Sequence, residues 1–178
     1  MRKLPVTTVI TNAVLFQVGW FACVLGAARQ AAWIGLVAVA AIAAWHVLHA
    51  EERGREIRLL LLAAAMGALF ETLLVQLGWL RFDTGVWFAG VAPAWMIALW
   101  ANFATTLNVS LRPLRGRPGL AALLGAIGAP IAYFGGSRLG ALELTDVTPA
   151  LAAVGAGWLL LTPVLFIAAR RLDGYARP

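Results

Sequence analysis

One cysteine stands in the whole chain, Cys23, so an intrachain disulfide, a CxxC redox pair and a cysteine-based zinc cage are all excluded. Histidine is almost as scarce. His46 and His49 are the only two; a metal site needs three or four ligands of defined geometry, and two cannot fill the eight-histidine pattern of membrane desaturases. With Glu52 and Glu56 just beyond, they read as an interfacial helix end, and no metal or other cofactor is expected. Charge is the third scarcity. Only 12% of the 178 residues are charged, about half of the roughly 25% usual in a soluble domain.

What fills the chain is apolar: 62% hydrophobic residues and a mean hydropathy of +0.84 predict an all-α integral membrane protein. The net charge of +6 would raise nucleic acid as a partner of a soluble domain. Here the basic residues sit in short segments between apolar runs, the pattern of topology signals and of attraction to anionic lipid, so no nucleic acid is expected. Six spans are predicted, at about 6–28, 31–49, 59–80, 93–111, 120–140 and 149–169, in a single transmembrane domain. The first, behind MRKLP and ending in small residues, has the outline of a signal peptide, but it is too long for a typical h-region and contains Asn12 and Gln17. It reads as a span. EERGREIR after the second span is a charged connector, and Trp87 and Phe88 after the third suit an interface. With both ends on one side, eleven basic residues, Arg2, Lys3 and Arg177 among them, lie on that side and three (Arg29, Arg81, Arg138) on the other. This bias predicts a six-span helical bundle with both termini cytoplasmic.

Leu59–Leu80 is the stretch that directs attention to a site, because Glu71 lies near its middle. An acidic residue at bilayer depth costs about 2.5–3.5 kcal/mol on insertion scales and normally faces a bundle or a wet cavity. At about 1.5 Å per residue, Gln17, Glu71, Asn102 and Tyr133 arrive at one level from four different spans. They form a candidate binding layer, with interhelical hydrogen bonding as the plainer alternative. Arg138, near the outer end of the fifth span, either reaches inward to Glu71 or snorkels outward to headgroups. Small residues mark the helix contacts: Asn12, Gly19, Cys23 and Gly26 on the first span, Gly67, Glu71 and Gly78 on the third, and Gly125, Gly128, Ala132 and Gly135 beside Pro130 on the fifth. No catalytic set emerges. Ser137 has no histidine at its depth to act as base, and the tail LDGYARP echoes a phosphatidyl-alcohol transferase signature without its spacing or its further aspartates.

The strings NAVLFQVGWFACVLGA, GALFETLLVQLGWLRF, PAWMIALWANFATTLNVSL and GAPIAYFGGSRLGAL together resemble, in that order, a family of small bacterial multispanning inner-membrane proteins labelled as a domain of unknown function, number 2878. The resemblance covers most of the chain, and PxW…LWxxFxxTLNxSL is its distinctive part. It implies a multi-pass protein of the bacterial inner membrane without an assigned activity; aspartate often stands in the family where this chain has Glu71. Relatives encoded near lipid-modifying enzymes imply a protein partner in lipid metabolism.

Three functional classes follow. The first is a non-enzymatic membrane module associated with membrane lipids or with a lipid-modifying partner. The second is a small proton-coupled transporter in which Glu71 carries the proton. The third is an intramembrane lipid-active enzyme with Glu71 as acid or base and Tyr133 or Arg138 as the second group. The six spans show no internal repeat of the kind many transporters have, which sets the first class ahead; a homo-oligomer would supply a missing second half.

Overall fold

The computed structural model of the chain describes residues 4–176; Arg2, Lys3 and Arg177, counted in the charge tally, lie outside them. Six helices, α1 (Val6–Ala28), α2 (Trp33–Leu48), α3 (Arg53–Gln76), α4 (Ala94–Leu107), α5 (Pro118–Arg138) and α6 (Val147–Arg171), make up most of it. Between α4 and α5 lies one 3₁₀ turn, Arg112–Leu114. Two two-residue strands, β1 (Leu80–Arg81) and β2 (Glu143–Leu144), pair antiparallel, Leu80 with Leu144 and Arg81 with Glu143. By length and composition α1, α3, α5 and α6 are able to cross a membrane, while α2 and α4, at 16 and 14 residues, are shorter apolar helices.

The bundle is apolar outside and carries its polar side chains inside. Ile10, Val14, Val18 and Phe21 on α1, Leu69 and Leu73 on α3 and Ile127 and Ile131 on α5 are exposed, as expected of helices that face hydrocarbon. The buried stripe of α1 is Asn12, Gly19, Cys23 and Gly26 with Val24 and Ala27, the stripe expected from its small residues. α4 is the central element. Trp95, Met96, Trp100, Asn102 and Ala104–Leu107 are all buried, because α4 packs against α1, α2, α3 and α6 at once. Around it α1 pairs with α2 and α5 with α6, whereas α1 and α5 make no extended contact.

Helix ends depart from the hydropathy boundaries for one physical reason. A hydropathy window reads charge as loop, but α3 starts at Arg53 and takes most of the EERGREIR connector into its first turns. Arg53 and Arg58 stay exposed while Glu56 turns inward to open a stripe continued by Leu59, Leu60, Ala63, Gly67, Glu71 and Leu74. Gly78 is not on that stripe. It follows the helix with φ +72° and open space around it, the left-handed position that ends a helix and suits glycine. α4 likewise stops at Leu107 rather than continuing to 111, and Asn108–Leu111 form a turn.

Candidate functional site

Two polar centres lie on the α3 stripe, four helical turns apart. At the inner one Glu71 is fully buried. Its Oε1 accepts the Trp100 indole N–H at 2.9 Å and the Tyr133 hydroxyl, so α3, α4 and α5 meet on one oxygen. Its Oε2 has no partner among the described residues. The close approach depends on Gly67, one turn below Glu71, since any Cβ there would fall on the Trp100 ring. Trp158 of α6 stacks on Trp100 with centroids 4.4 Å apart. Its Nε1 comes near the Tyr133 hydroxyl but makes no hydrogen bond of acceptable geometry.

In front of this centre is a cavity of about 540 Å³, a size typical of small-molecule sites. Its walls are Phe16, Gln17 and Trp20 of α1, Trp95, Leu99 and Phe103 of α4, and the small residues of α5. Gly125 packs on Thr162 of α6, but Gly128, Ala132 and Gly135 face the cavity instead of a neighbouring helix, and a Cβ on Gly128 would meet nothing within 4 Å. That part of the small-residue stripe therefore borders space, where close helix packing was expected. Because α1 and α5 are not packed together, the cavity is a cleft between them, floored by α4.

The predicted layer is only partly assembled. Glu71 and Tyr133 are bonded, and Gln17, itself exposed, lines the same cleft as Tyr133. Asn102 is elsewhere. It turns to α1, donating to the Phe16 carbonyl at 2.9 Å across the gap left by Gly19. Arg138 is exposed at the end of α5 and forms no ion pair among the described residues; of the two orientations foreseen for it, the outward one is found. Trp100 and Trp158 were missed as site residues because a tryptophan in an apolar span gives no signal beyond core packing.

The second centre lies where α2 ends, α3 begins, α4 ends and the chain leaves α6. Glu56, fully buried, bonds through Oε2 to His46 Nε2 at 2.8 Å and accepts at Oε1 from Asn108 Nδ2 at 2.6 Å and from the Gly174 N–H at 2.7 Å. Arg115 donates to Asn108 Oδ1 and, at 2.6 Å, to Asp173, which also takes Arg112 at 3.1 Å. Asp173 Oδ1 in turn accepts the N–H groups of Tyr175 and Ala176. Nearby, Asn12 accepts from Ser110 and donates to the Thr105 carbonyl, tying α1 to the end of α4. His46 is thus not an exposed helix end but a buried member of this network, whereas His49 is exposed at the end of α2 and bonded to the Trp45 carbonyl. The tail is not loose either: LDGYA folds back, and Tyr175 donates its hydroxyl to the His46 carbonyl at 2.7 Å.

Burial first, and the negative charge of Glu56 second, push the Tyr175 hydroxyl well above the usual tyrosine range. A folded-state value above the unfolded one gives stability that is complete below the pH at which free tyrosine ionises and is lost as pH climbs beyond it. In an alkaline titration followed by ultraviolet absorption, Tyr175 should therefore ionise only together with unfolding, and Tyr175→Phe should reduce the amplitude of that late phase to what the other buried tyrosine, Tyr133, contributes.

Comparison with known proteins returns one family. Residues 9–164 match the profile of a family described as a protein of unknown function (DUF2878). No curated protein matches, and no solved structure does.

Proposed function

The chain belongs to the DUF2878 family of proteins of unknown function, and from that premise we propose that it is a non-enzymatic module of the bacterial inner membrane that holds a lipid chain in the cleft between α1 and α5. The observation that carries the reading is the cleft itself, a cavity of about 540 Å³ with aromatic walls between two helices that do not pack together. A lipid in the bilayer would enter sideways, with no passage through water. Glu71 serves here as a fixed acceptor that holds Trp100 and Tyr133 in the floor.

In this reading all six helices span, with both termini cytoplasmic. Supporting it, the second polar centre gathers the start of α1, the α2–α3 and α4–α5 turns and the tail on one side. That is also the side to which the basic residues gravitate. The opposite side holds the β1–β2 pair and the strongly exposed Trp87 and Phe88, which suit a membrane interface. α2 and α4, too short to span by length alone, are extended by the turns and loops at their ends.

Gly128→Leu tests the cleft. The position is open, so the leucine would fill space without displacing a neighbour, and leucine replaces glycine in a helix with a gain of about 0.5–1 kcal/mol. The variant should fold at least as well as wild type and lose the lipid that wild type retains through gentle extraction, as read by mass spectrometry of the purified proteins. Equal retention of the same species by both would remove the cleft as the binding site.

A further inference from the structure

We propose that two copies of this chain associate in parallel through the exposed face of α1, with the Gln17 amide of each bonded to that of the other. This requires α1 to span the membrane, but not that the cleft hold a lipid.

The lone amide is the first argument. Gln17 is the twelfth of the 23 residues of α1, about 16 Å from either end at 1.5 Å per residue, and so at the centre of a hydrocarbon layer about 30 Å thick. It is exposed and makes no hydrogen bond to any described residue. The side chain is too short to snorkel that distance, and an amide without partners in hydrocarbon is costly. A lipid in the cleft brings only its tail to this depth, because its head stays at the interface about 15 Å away. Among the described residues no other amide or charged side chain is exposed more than two turns from the end of a helix.

Spacing is the second argument. Thr7, Ile10, Val14, Gln17 and Phe21 recur at alternating intervals of three and four and are all exposed, which is the seam by which two helices pack side by side. Within the chain α1 makes extended contact only with α2 and α4, so this seam is unused. Gln17 stands on the edge it shares with the cleft wall. Exposed faces of α3 and α5, such as Leu61, Leu69 and Leu73 or Leu123, Ile127 and Ile131, are apolar throughout and give no such signal.

Symmetry identifies the partner. Basic residues give every copy the same orientation in the membrane, so two neighbours are related by a two-fold axis along its normal, and a residue on the seam meets its own counterpart at equal depth. An acid or a base there would face its own charge. An amide is self-complementary, with a carbonyl to accept and two N–H groups to donate, and a single amide on such a seam fixes register and the number of helices. Hydrogen bonds of this kind hold membrane helices together.

Sedimentation equilibrium of the detergent-solubilised full-length protein tests the association. Wild type should dimerise, and Gln17→Leu should raise the dimer dissociation constant about three- to thirtyfold, the effect of an interhelical polar contact. The position is exposed, so leucine displaces no neighbour, and Gln17→Asn, which keeps the amide, should recover most of the affinity. Oxidative cross-linking in native membranes locates the face without depending on that variant. In a background where the buried Cys23 is replaced by alanine, Val14→Cys should link two copies, and Ile131→Cys, equally open on α5, should not. A dimer of unchanged affinity in Gln17→Leu, linkage through Ile131→Cys but not Val14→Cys, or a monomer at every concentration that also fails to link would overturn the interface. Loss of retained lipid from Gln17→Leu with no wild-type dimer would overturn it as well and assign the amide to the cleft.

Discussion

Glu56→Ala should lower the thermal unfolding midpoint of the detergent-solubilised protein more than removal of any other charge in the opening turns of α3. The carboxyl group takes His46, Asn108 and the Gly174 N–H on its two oxygens, with no exposure to solvent. Truncation strands the polar groups of three separate segments at once. A buried donor left unmade costs about 1–3 kcal/mol, and breaking a buried polar pair by removing one partner costs roughly 3–5 kcal/mol after relaxation. At about 2–4 °C per kcal/mol for a chain of this size, the midpoint should fall by on the order of 10 °C. Glu52→Ala is the control. Its partner Arg55 lies 2.8 Å away, but both side chains are more than a third exposed, and such pairs contribute at most about 1 kcal/mol. A Glu56→Ala midpoint within a degree or two of the Glu52→Ala value would show that the network is dispensable.

The contrast between these two glutamates also explains why the sequence revealed one polar centre and hid the other. Glu71 stands alone in a long apolar stretch, where a single charge is conspicuous. Glu56 sits among Glu51, Glu52, Arg53, Arg55 and Arg58, and composition gives no means to pick out the one that turns inward. Helical spacing does: Glu56, Leu60, Ala63, Gly67 and Glu71 recur at intervals of three or four, so a stripe traced backward from Glu71 reaches Glu56. The other members of that centre are scattered from Asn12 to Tyr175, and contacts of such separation follow from the tertiary fold alone. The helical fold was legible because long apolar runs specify helices directly. The cleft was not, since Gly128 and Gly125 look alike in sequence, yet one faces space and the other faces Thr162.

Glu71→Ala should be the most damaging substitution at the inner centre, and its comparison with Glu71→Gln separates the functional classes. Alanine leaves the Trp100 N–H and the Tyr133 hydroxyl without their shared acceptor. It also opens a void beneath the Trp100–Trp158 stack, and large-to-alanine changes in a packed interior cost about 2–5 kcal/mol. Combined with the unmade donors, the loss should be as large as that of Glu56→Ala. Glutamine has nearly the same shape and keeps a carbonyl oxygen where Oε1 stands, so both donors stay satisfied. The amide NH2 then stands where Oε2 has no partner, and a buried donor left unmade costs about 1–3 kcal/mol, less than the combined losses of the alanine variant. The Gln variant should therefore fold, keep its tryptophan packing as read by near-ultraviolet circular dichroism, and retain the same lipid as wild type. A group that carries protons across the membrane has no such tolerance, because an amide takes no part in the exchange. Proton-coupled flux in reconstituted vesicles that is present in wild type and absent in Glu71→Gln would move the protein from the lipid-holding class to the transporter class. Loss of the lipid together with the acid would instead make the carboxyl group part of the binding surface.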